Sequence, residues 1–179
     1  MKKGKGKMAE TCKPKDPQLD KPTIAFIIER SLNKNVVVYE GLVDEGTKQL
    51  QPDKPLDVYW LDLDPVYQEK NRKKGKMTDR DDLNMIERNM AYGVKCEPIE
   101  GEEGAYAMTL VALPKRKGIL KMVNGVPQAL MEINGQQCYL QSIFVHSKQG
   151  MIGLPKVVYV LVKGVSVEGE KEQEERIEG

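Results

Sequence analysis

Side chains suited to acid–base or nucleophilic chemistry are few in this chain and lie far apart. Its single histidine is His146, and its three cysteines, Cys12, Cys96 and Cys138, form no C-x-x-C pair. Zinc sites need closely spaced ligands, and disulfide scaffolds need an even number of cysteines. The sequence therefore predicts free thiols, no bound metal and no cofactor.

Asp62 and Asp64 form a candidate carboxylate pair, because alternate residues at the end of a strand point the same way. Two such groups could hold a divalent cation or act as an acid and a base, although paired aspartates here are also typical of a solvated turn. With Glu29 and His146 they form the residue set of a hydrolase hypothesis. No phosphate-binding glycine loop, G-x-S-x-G or H-E-x-x-H motif accompanies them.

Two runs of basic residues, Lys70–Lys76 and Lys115–Lys117, are candidates for contact with an anionic surface. Clustered cations attract the phosphates of anionic lipids and nucleic acids. Neither run contains an aromatic residue on which a base could stack, and the alternative is a pair of solvated loops, the first a polar, mobile loop over 66–77. The candidate contacts are Arg72, Lys73, Lys74, Lys115, Arg116 and Lys117.

Short blocks of β-branched and aromatic residues predict that strands position most of these groups. Asn124-Gly125 and Asn134-Gly135 are strong hairpin signals, because both residue types tolerate the positive φ of a type I′ turn. We expect a mainly β domain, an antiparallel β-sandwich or barrel of about eight or nine strands. The predicted strands cover 24–28, 36–39, 56–61, 105–113, 118–123, 127–133, 137–145 and 156–163.

One segment favours a helix instead of a strand. Thr78 is a candidate N-cap, and Leu83, Ile86 and Met90 recur at the three- and four-residue spacing of one helical face. We expect one amphipathic helix over about 79–91, packed on the sheet through this apolar stripe.

Charge distinguishes the two ends of the chain. Residues 1–22 carry seven Lys against three acids, and residues 165–179 carry six Glu against Lys171 and Arg176. Such segments bury too little apolar surface to offset the entropy of ordering. We predict a disordered basic arm over 1–22, a single β-rich domain over 23–164 and a flexible acidic tail over 165–179.

The composition excludes several broad classes of protein. The 179 residues contain 28 Lys and Arg against 27 Asp and Glu, and this balance argues against a polybasic nucleic-acid binder or an acidic chaperone-like chain. The mean hydropathy is -0.52, and no apolar run approaches the ~18 residues of a membrane span. Since no apolar stretch follows the basic start, we expect a cytoplasmic protein without a transmembrane segment.

Four blocks, taken in their order along the chain, are more distinctive than the rest: 26–40, 55–60, 86–93 and 157–163. Among them, V-Y-W and E-R-x-x-A-Y-G are the most specific. Together the blocks resemble a family of uncharacterised domains of unknown function, about 170 residues long, with members in bacteria and some unicellular eukaryotes. The similarity would run from Ile24 to about Ile177. The resemblance implies one compact domain and supplies no activity or mechanism.

Within these blocks, Tyr59, Trp60, Arg88 and Tyr92 are the predicted contacts with a ligand or partner. Arg88 and Tyr92 lie about one helical turn apart. If both face Tyr59 on the sheet, a small anion or polar ligand could bind between the helix and the strand.

Three classes of function remain open. The lack of an assembled catalytic motif favours a non-catalytic binding or scaffolding module with a protein partner. A β-barrel or sandwich of this size could instead carry a lipid or another small hydrophobic ligand, and nine Met would suit an adaptable lining. The third class is the hydrolase described above.

Overall fold

The computed structural model describes residues 16–153 and 155–179. These residues form eleven strands in a curled, mixed sheet that makes a half-barrel, so the mainly β prediction is confirmed. The strands are β1 (Ile24–Arg30), β2 (Val36–Gly41), β3 (Leu56–Leu61), β4 (Arg80–Asp82), β5 (Val94–Pro98), β6 (Tyr106–Leu110), β7 (Lys117–Val123), β8 (Val126–Ile133), β9 (Gln136–Gln149), β10 (Pro155–Ser166) and β11 (Glu172–Glu178). The helical segments are α1 (Pro65–Lys73), α2 (Met85–Glu87), a π-helical turn (Arg88–Tyr92), and 3-10 turns at Pro17–Leu19 and Met151–Gly153.

Strand β9 lies at the centre of the sheet. The strand order is β4-β3-β2-β1-β9-β8-β7-β6-β5, and β10 pairs with both β9 and β11. Residues 138–139 of β9 pair with β8 and β10, whereas residues 142–145 pair with β1 and β10. Because a strand has only two edges, β8 and β1 share one edge of β9 and β10 occupies the other. The sheet therefore has two halves on either side of β9, one made of β1–β4 and the other of β5–β8.

One strand pair departs from the expected antiparallel architecture. β1 runs parallel to β9, with Ile27 beside Ser142 and Arg30 beside Val145. The other strand pairs among the described residues are antiparallel. A parallel pair needs a long crossover connection rather than a hairpin, and here the seven strands β2–β8 and the helical segments between them supply it.

Both predicted Asn-Gly hairpins are confirmed. Asn124 and Gly125 join β7 to β8 with φ of 51° and 83°, and Asn134 and Gly135 join β8 to β9 with φ of 53° and 76°. Positive φ at both central residues is the type I′ geometry, whose twist matches that of the flanking strands. These turns fix the register of the β7–β8–β9 meander.

Apolar side chains from both halves of the sheet form one large core. Phe26 and Tyr39 stack in it with ring centroids 4.3 Å apart, and Met108, Leu120 and Leu140 are buried in the same cluster. A smaller cluster lies on the opposite face of β2 and β3 and is built from Val36, Val38, Tyr59 and Leu61. The central residues of β2 and β3 are therefore buried on both faces, in agreement with the unbroken apolar runs 36–39 and 58–61.

The mobile loop expected over 66–77 is largely replaced by helix α1. Asp64 is its N-cap, because the Asp64 carboxylate accepts the N–H of Val66, and Pro65 occupies the first turn. Pro at this position loses no hydrogen bond, and cations in the last turn favour the negative end of the helix dipole. Local capping thus starts this helix, although its sequence is too polar to show an amphipathic helical pattern.

The prediction of an amphipathic helix over 79–91 is wrong in where the helix starts and in how it packs. Strand β4 takes its first residues, and the helix begins only after Asn84. The Asn84 side chain accepts the N–H of Glu87, and the Glu87 carboxylate accepts the N–H of Asn84. This capping box fixes the start of α2 later than the predicted cap at Thr78.

The apolar stripe of the expected helix does not pack on the sheet. Leu83 is buried, but Ile86 and Met90 are 74% and 76% exposed. Leu83 precedes the Asn84 N-cap and so lies outside the helical segment, whereas Ile86 and Met90 lie within it on its solvent-exposed side. Only the first member of the stripe reaches the core.

The acidic C-terminal segment is a strand rather than the expected flexible tail. β11 pairs antiparallel with β10 from Glu172 beside Val165 to Glu178 beside Tyr159. Ile177 packs against the core. This contact and the hydrogen bonds of the β10–β11 ladder therefore order a segment that its many Glu residues would otherwise disfavour. Most of the basic arm predicted over 1–22 lies outside the described residues.

Candidate functional site

The four predicted contact residues do not form one site. Tyr59 and Trp60 are neighbours in β3, so their side chains point to opposite faces of the sheet. Tyr92 lies on the Trp60 side, with the two rings edge to face and their centroids 5.2 Å apart. The hypothesised pocket between Tyr59 and Tyr92 is therefore not formed, and the role of each residue in binding remains a prediction.

Trp60 fixes the helical segment to the sheet. Its indole N–H donates to Oε2 of Glu87 at 3.0 Å, and the Arg30 guanidinium lies 4.4 Å from its ring centroid. On the neighbouring strand, the Tyr39 hydroxyl donates to the Tyr92 carbonyl oxygen at 2.6 Å. These contacts hold the helical turn that contains Arg88 in place on the sheet.

Tyr59 belongs to a polar cluster on the other face of β3. Its hydroxyl donates to Oε1 of Glu40 at 2.7 Å, and the Arg80 guanidinium lies 3.8 Å from its ring centroid. Burial and the neighbouring Glu40 carboxylate raise the pKa of the Tyr59 hydroxyl. The side chain therefore stays neutral at physiological pH and acts as a structural hydrogen-bond donor.

A cleft of about 460 Å³ lies between β3 and β5, and Arg88 lines it. Apolar side chains of both strands, of Leu83 and of Val111 contribute to its surface, and the polar lining includes Lys54, Asn89 and Lys95. The apolar residues of the two strands are Leu56, Val58, Val94 and Cys96. The charged lining also includes Asp53, so the cleft combines an apolar surface with three cations and one carboxylate.

The cleft occupies the open seam of the half-barrel. β4 pairs with β3 only at Tyr59–Leu61, so the 56–58 stretch has β2 on one edge and no strand of the described chain on the other. At the opposite end of the sheet, β5 pairs with β6 alone. Two strand edges therefore lie on either side of the cleft without pairing to each other.

The outer edge of β5 has a defined hydrogen-bonding pattern. The N–H of Ile99 donates to the carbonyl of Ala105, and the Gly93 carbonyl accepts from the N–H of Val111. In an antiparallel ladder, residues that bond to the partner alternate with residues whose N–H and C=O point away from it. Val94 and Cys96 hold the outward positions, and Pro98 follows where an N–H is not needed.

The cations of the cleft differ in their pairing. Lys54 lies 3.2 Å from Asp57, and Lys95 lies 3.0 Å from Glu97. Among residues 16–153 and 155–179, Arg88 forms no ion pair. Its guanidinium is therefore available to a carboxylate from outside the described chain.

Gly93 fixes the position of Arg88 relative to β5. A Cβ at Gly93 would overlap the Arg88 carbonyl oxygen and lie 3.2 Å from Cγ2 of Val111. Only glycine lets the π-helical turn fold back so closely on the start of β5. Arg88 and Val94 thereby line the same cleft.

The structure places the two sets of predicted basic contacts on different elements. Arg72 and Lys73 belong to the last turn of α1, and Lys74 is its C-cap. The other set lines a polar cleft of about 590 Å³ at the start of β7. There Arg116 pairs with both carboxylate oxygens of Glu175, so this cation fastens β11 while Lys115 and Lys117 remain predicted contacts with an anionic surface.

The residues of the hydrolase hypothesis have separate environments. Asp62 is buried and accepts from Nδ2 of Asn71 at 3.0 Å, and burial together with the nearby Asp81 raises its pKa. Asp64 caps α1, as described above. His146 stacks on Tyr159 with ring centroids 4.7 Å apart. These contacts give Asp64 and His146 structural roles.

In the described residues, a bound metal ion would need several ligating side chains close together, and a membrane crossing would need a long apolar helix. No group of three or more His, Cys, Asp or Glu in this part of the chain is arranged to hold a metal ion. None of the helices seen in residues 16–153 and 155–179 has the length and apolar character that a membrane crossing requires.

Sequence reasoning missed the cleft because it missed β5. The stretch Val94–Pro98 is short and carries Lys95 and Glu97, so its apolar content is too low to indicate a strand. The alternation of Val94, Cys96 and Pro98 with the two charged residues was the available signal. A strand at the sheet edge needs only one apolar face, and this pattern meets that condition.

A mainly β half-barrel with one open seam is the class of protein that these observations define. The family described as Domain of unknown function (DUF4833) matches residues 26–176. The chain belongs to this family, as its sequence blocks indicated. No curated protein and no solved structure matches the chain.

Proposed function

We propose that this domain is a non-catalytic binding module that takes up an extended segment of a protein partner in the seam between β3 and β5. The observation that carries the proposal is the unpaired edge of β5 beside an apolar cleft. An extended peptide aligned with this edge adds a strand to the sheet and bonds to the N–H and C=O groups of Val94 and Cys96.

The lining of the cleft supports a preference for particular side chains. In a bound strand, every second side chain points towards one face, here the apolar surface of Leu56, Val58 and Leu83. The intervening side chains lie near Arg88 and Lys95. We infer that the favoured segment alternates apolar residues with Asp or Glu, because carboxylates form charge-assisted hydrogen bonds with guanidinium groups.

A small amphiphile is the second candidate occupant. The apolar surface of the cleft, with Arg88 at its side, is the observation that favours it. A fatty acid would place its chain on the apolar residues and its carboxylate near the guanidinium. Unlike a peptide, it needs no backbone groups of β5, and this difference separates the two candidates.

Fluorescence anisotropy with a short labelled peptide of alternating Val and Glu tests the proposal. We expect saturable binding by the full-length protein and none of the corresponding Val/Lys peptide. Cys96→Pro removes an outward N–H while leaving the β5–β6 ladder intact, so it abolishes binding, whereas its control Cys96→Ala retains it. Arg88→Glu weakens binding, and Arg72→Glu, a charge change on α1, does not.

Three results would contradict the peptide proposal. The first is that the wild-type protein binds neither peptide, and the second is that it binds both peptides equally. The third is that the Cys96→Pro variant binds the Val/Glu peptide as tightly as the wild type does. Binding of oleate that survives Cys96→Pro and is lost in Arg88→Glu, without peptide binding, identifies the amphiphile as the occupant instead.

A further inference from the structure

The hairpin that joins β9 to β10 extends beyond its neighbours in the sheet. The last backbone–backbone hydrogen bonds to neighbouring elements of the described chain join Ser31 to Val145 and Gly179 to Val158. Past these points, β9 and β10 pair with each other as far as Gln149 beside Pro155. Beyond Ser147, whose backbone still bonds to the Ser31 hydroxyl, the ladder continues for two residues, or about 7 Å, so the turn lies at the end of a short projecting arm.

The turn of this arm exposes two large apolar side chains. Met151 is 90% exposed and Ile152 is 94% exposed. Ile152 also has φ of 68° and ψ of 24°, in the left-handed region that β-branched residues rarely adopt because of steric strain. An apolar side chain held in solvent at a conformational cost indicates a contact outside the described chain.

Two lysines lie beside the turn of the arm. Lys148 and Lys156 are directly opposite each other in the β9–β10 ladder, an arrangement that like charges disfavour. Neither lysine forms an ion pair with residues 16–153 or 155–179. The paired lysines therefore lie next to the exposed apolar turn without a neutralising carboxylate.

The adjoining β1–β2 loop continues this surface. The Ser31 hydroxyl donates to the Ser147 carbonyl at 3.3 Å and accepts the Ser147 N–H at 3.0 Å, which fastens the loop to the arm. Leu32, the next residue, is 48% exposed, and Lys34 follows. The same combination of apolar and cationic residues thus recurs beside the arm.

We propose that the β9–β10 arm docks on the surface of a membrane that contains anionic phospholipids. Along the arm, the apolar pair Met151 and Ile152 lies outermost and Lys148 and Lys156 follow. This order matches the depth profile of a bilayer, where an apolar interior lies beneath anionic headgroups. Apolar side chains enter the headgroup–acyl boundary, and the lysines contact the phosphates.

Vesicle co-sedimentation of the full-length protein tests this site. We expect binding to phosphatidylcholine vesicles that contain phosphatidylserine, little binding without phosphatidylserine, and weakening as salt is raised. Lys148→Gln with Lys156→Gln lowers partitioning about 30-fold, given the attraction of each cation to an anionic surface. Met151→Ser with Ile152→Gly lowers it at least about tenfold, and the glycine also relieves the strained φ.

The matched control is Met85→Ser with Ile86→Ser, which removes two other apolar side chains that are 77% and 74% exposed. Glu87 lies next to this pair rather than lysines, and we expect unchanged binding to vesicles. Circular dichroism confirms that each variant keeps the β-rich fold. A second reporter is Ile152→Trp, whose fluorescence shifts to shorter wavelength when anionic vesicles are added.

The proposal is overturned if the wild type does not bind anionic vesicles at low salt. It is equally overturned if the Met151/Ile152 variant binds like the wild type, since other basic segments then account for binding. Loss of binding in the Met85/Ile86 control as well would show a non-specific apolar effect rather than a site on the arm.

Discussion

Trp60 and Glu87 connect the sheet to the helical segment that borders the cleft. The indole N–H donates to Oε2 of Glu87 at 3.0 Å, and Oε1 of the same carboxylate accepts the N–H of Asn84 at 2.9 Å. One carboxylate therefore anchors the tryptophan and closes the capping box of α2. The position of Arg88, the next residue, depends on both contacts.

Replacing Glu87 tests how much these two contacts contribute to the stability of the fold. Glu87→Ala leaves the indole N–H without its partner and opens the capping box, so we expect the free energy of unfolding to fall by about 2 to 3 kcal/mol. Glu87→Gln keeps an acceptor oxygen and loses less. Urea denaturation measures the effect, and Glu97→Ala, on the exposed face of β5, is the control with unchanged stability. Equal stability of Glu87→Ala and the wild type contradicts this account of Glu87.

Gly93→Ala tests the close approach between the π-helical turn and β5. The new methyl group overlaps the Arg88 carbonyl oxygen, so the turn must move away from β5. We expect a loss of about 2 to 4 kcal/mol in thermal or urea unfolding. At Gly46 an added Cβ meets only the side-chain oxygen of Asp44, at 3.2 Å, and Gly46→Ala serves as the mild control. Comparable effects of the two substitutions contradict the steric argument.

The reactivity of Cys96 has a predictable pH dependence. Burial raises the pKa of its thiol to about 11, so the thiolate becomes abundant only as the pH rises towards that value. At pH 8 we expect alkylation by iodoacetamide to be about 100-fold slower than for a thiol with the reference pKa of 9.0. The rate then increases about tenfold per pH unit.

A variant that retains Cys96 as its only cysteine makes this measurement specific. Urea at a denaturing concentration removes the burial, so the alkylation rate at pH 8 rises to that of a free thiol. Addition of the Val/Glu peptide slows alkylation of the folded protein if the peptide covers β5. Rapid alkylation of the folded protein at pH 8 contradicts the raised pKa of the Cys96 thiol.

Glu175 links the stability of β11 to pH. The Arg116 guanidinium and the Asn134 backbone N–H hold the pKa of the Glu175 carboxyl below its usual range. Since the folded-state pKa is depressed, the stabilisation is present above the unfolded-state pKa of Glu. It is lost as the pH falls through the lower, folded-state value.

Glu175→Gln removes this pH dependence. Because the pair is partly exposed, we expect a loss of about 1 kcal/mol at neutral pH and convergence with the wild type in acid. Urea midpoints between pH 7 and about pH 2 measure it. Glu174→Gln, whose partner Lys163 lies 3.7 Å away, is the control on the same strand and changes less. A constant difference between Glu175→Gln and the wild type across this range contradicts the assignment.

The main strands were predictable because their apolar runs are long and their turns are marked. Ile24–Arg30 and Val36–Gly41 are rich in β-branched residues, and both Asn-Gly turns carry their own geometry in two residues. Such signals are local, so no tertiary contact is needed to interpret them. They determine the fold class but not the order of the strands, since the parallel β1–β9 contact joins residues far apart in sequence.

The candidate site was not predictable because it depends on polar elements at the edges of the sheet. β5 and β11 carry alternating charges that only pairing with a neighbour makes compatible with a strand. The helical spacing of Leu83, Ile86 and Met90 is present in the sequence, but the Asn84–Glu87 capping box and the π-helical turn override it. Arg88 was identified as a candidate, whereas the cleft beside it depends on the curl of the sheet, which brings β3 and β5 to the two sides of an open seam.

The parallel neighbours β1 and β9 affect how this chain folds during its synthesis. Ile27 emerges about 115 residues before its partner Ser142, which at ~5–20 residues per second is a delay of roughly 6 to 23 s. Until then, one edge of β1 lacks its neighbour while β2–β4 are already available for pairing. The growing polypeptide thus depends on its second half to cover an aggregation-prone strand edge, and a high contact order makes the final step slow.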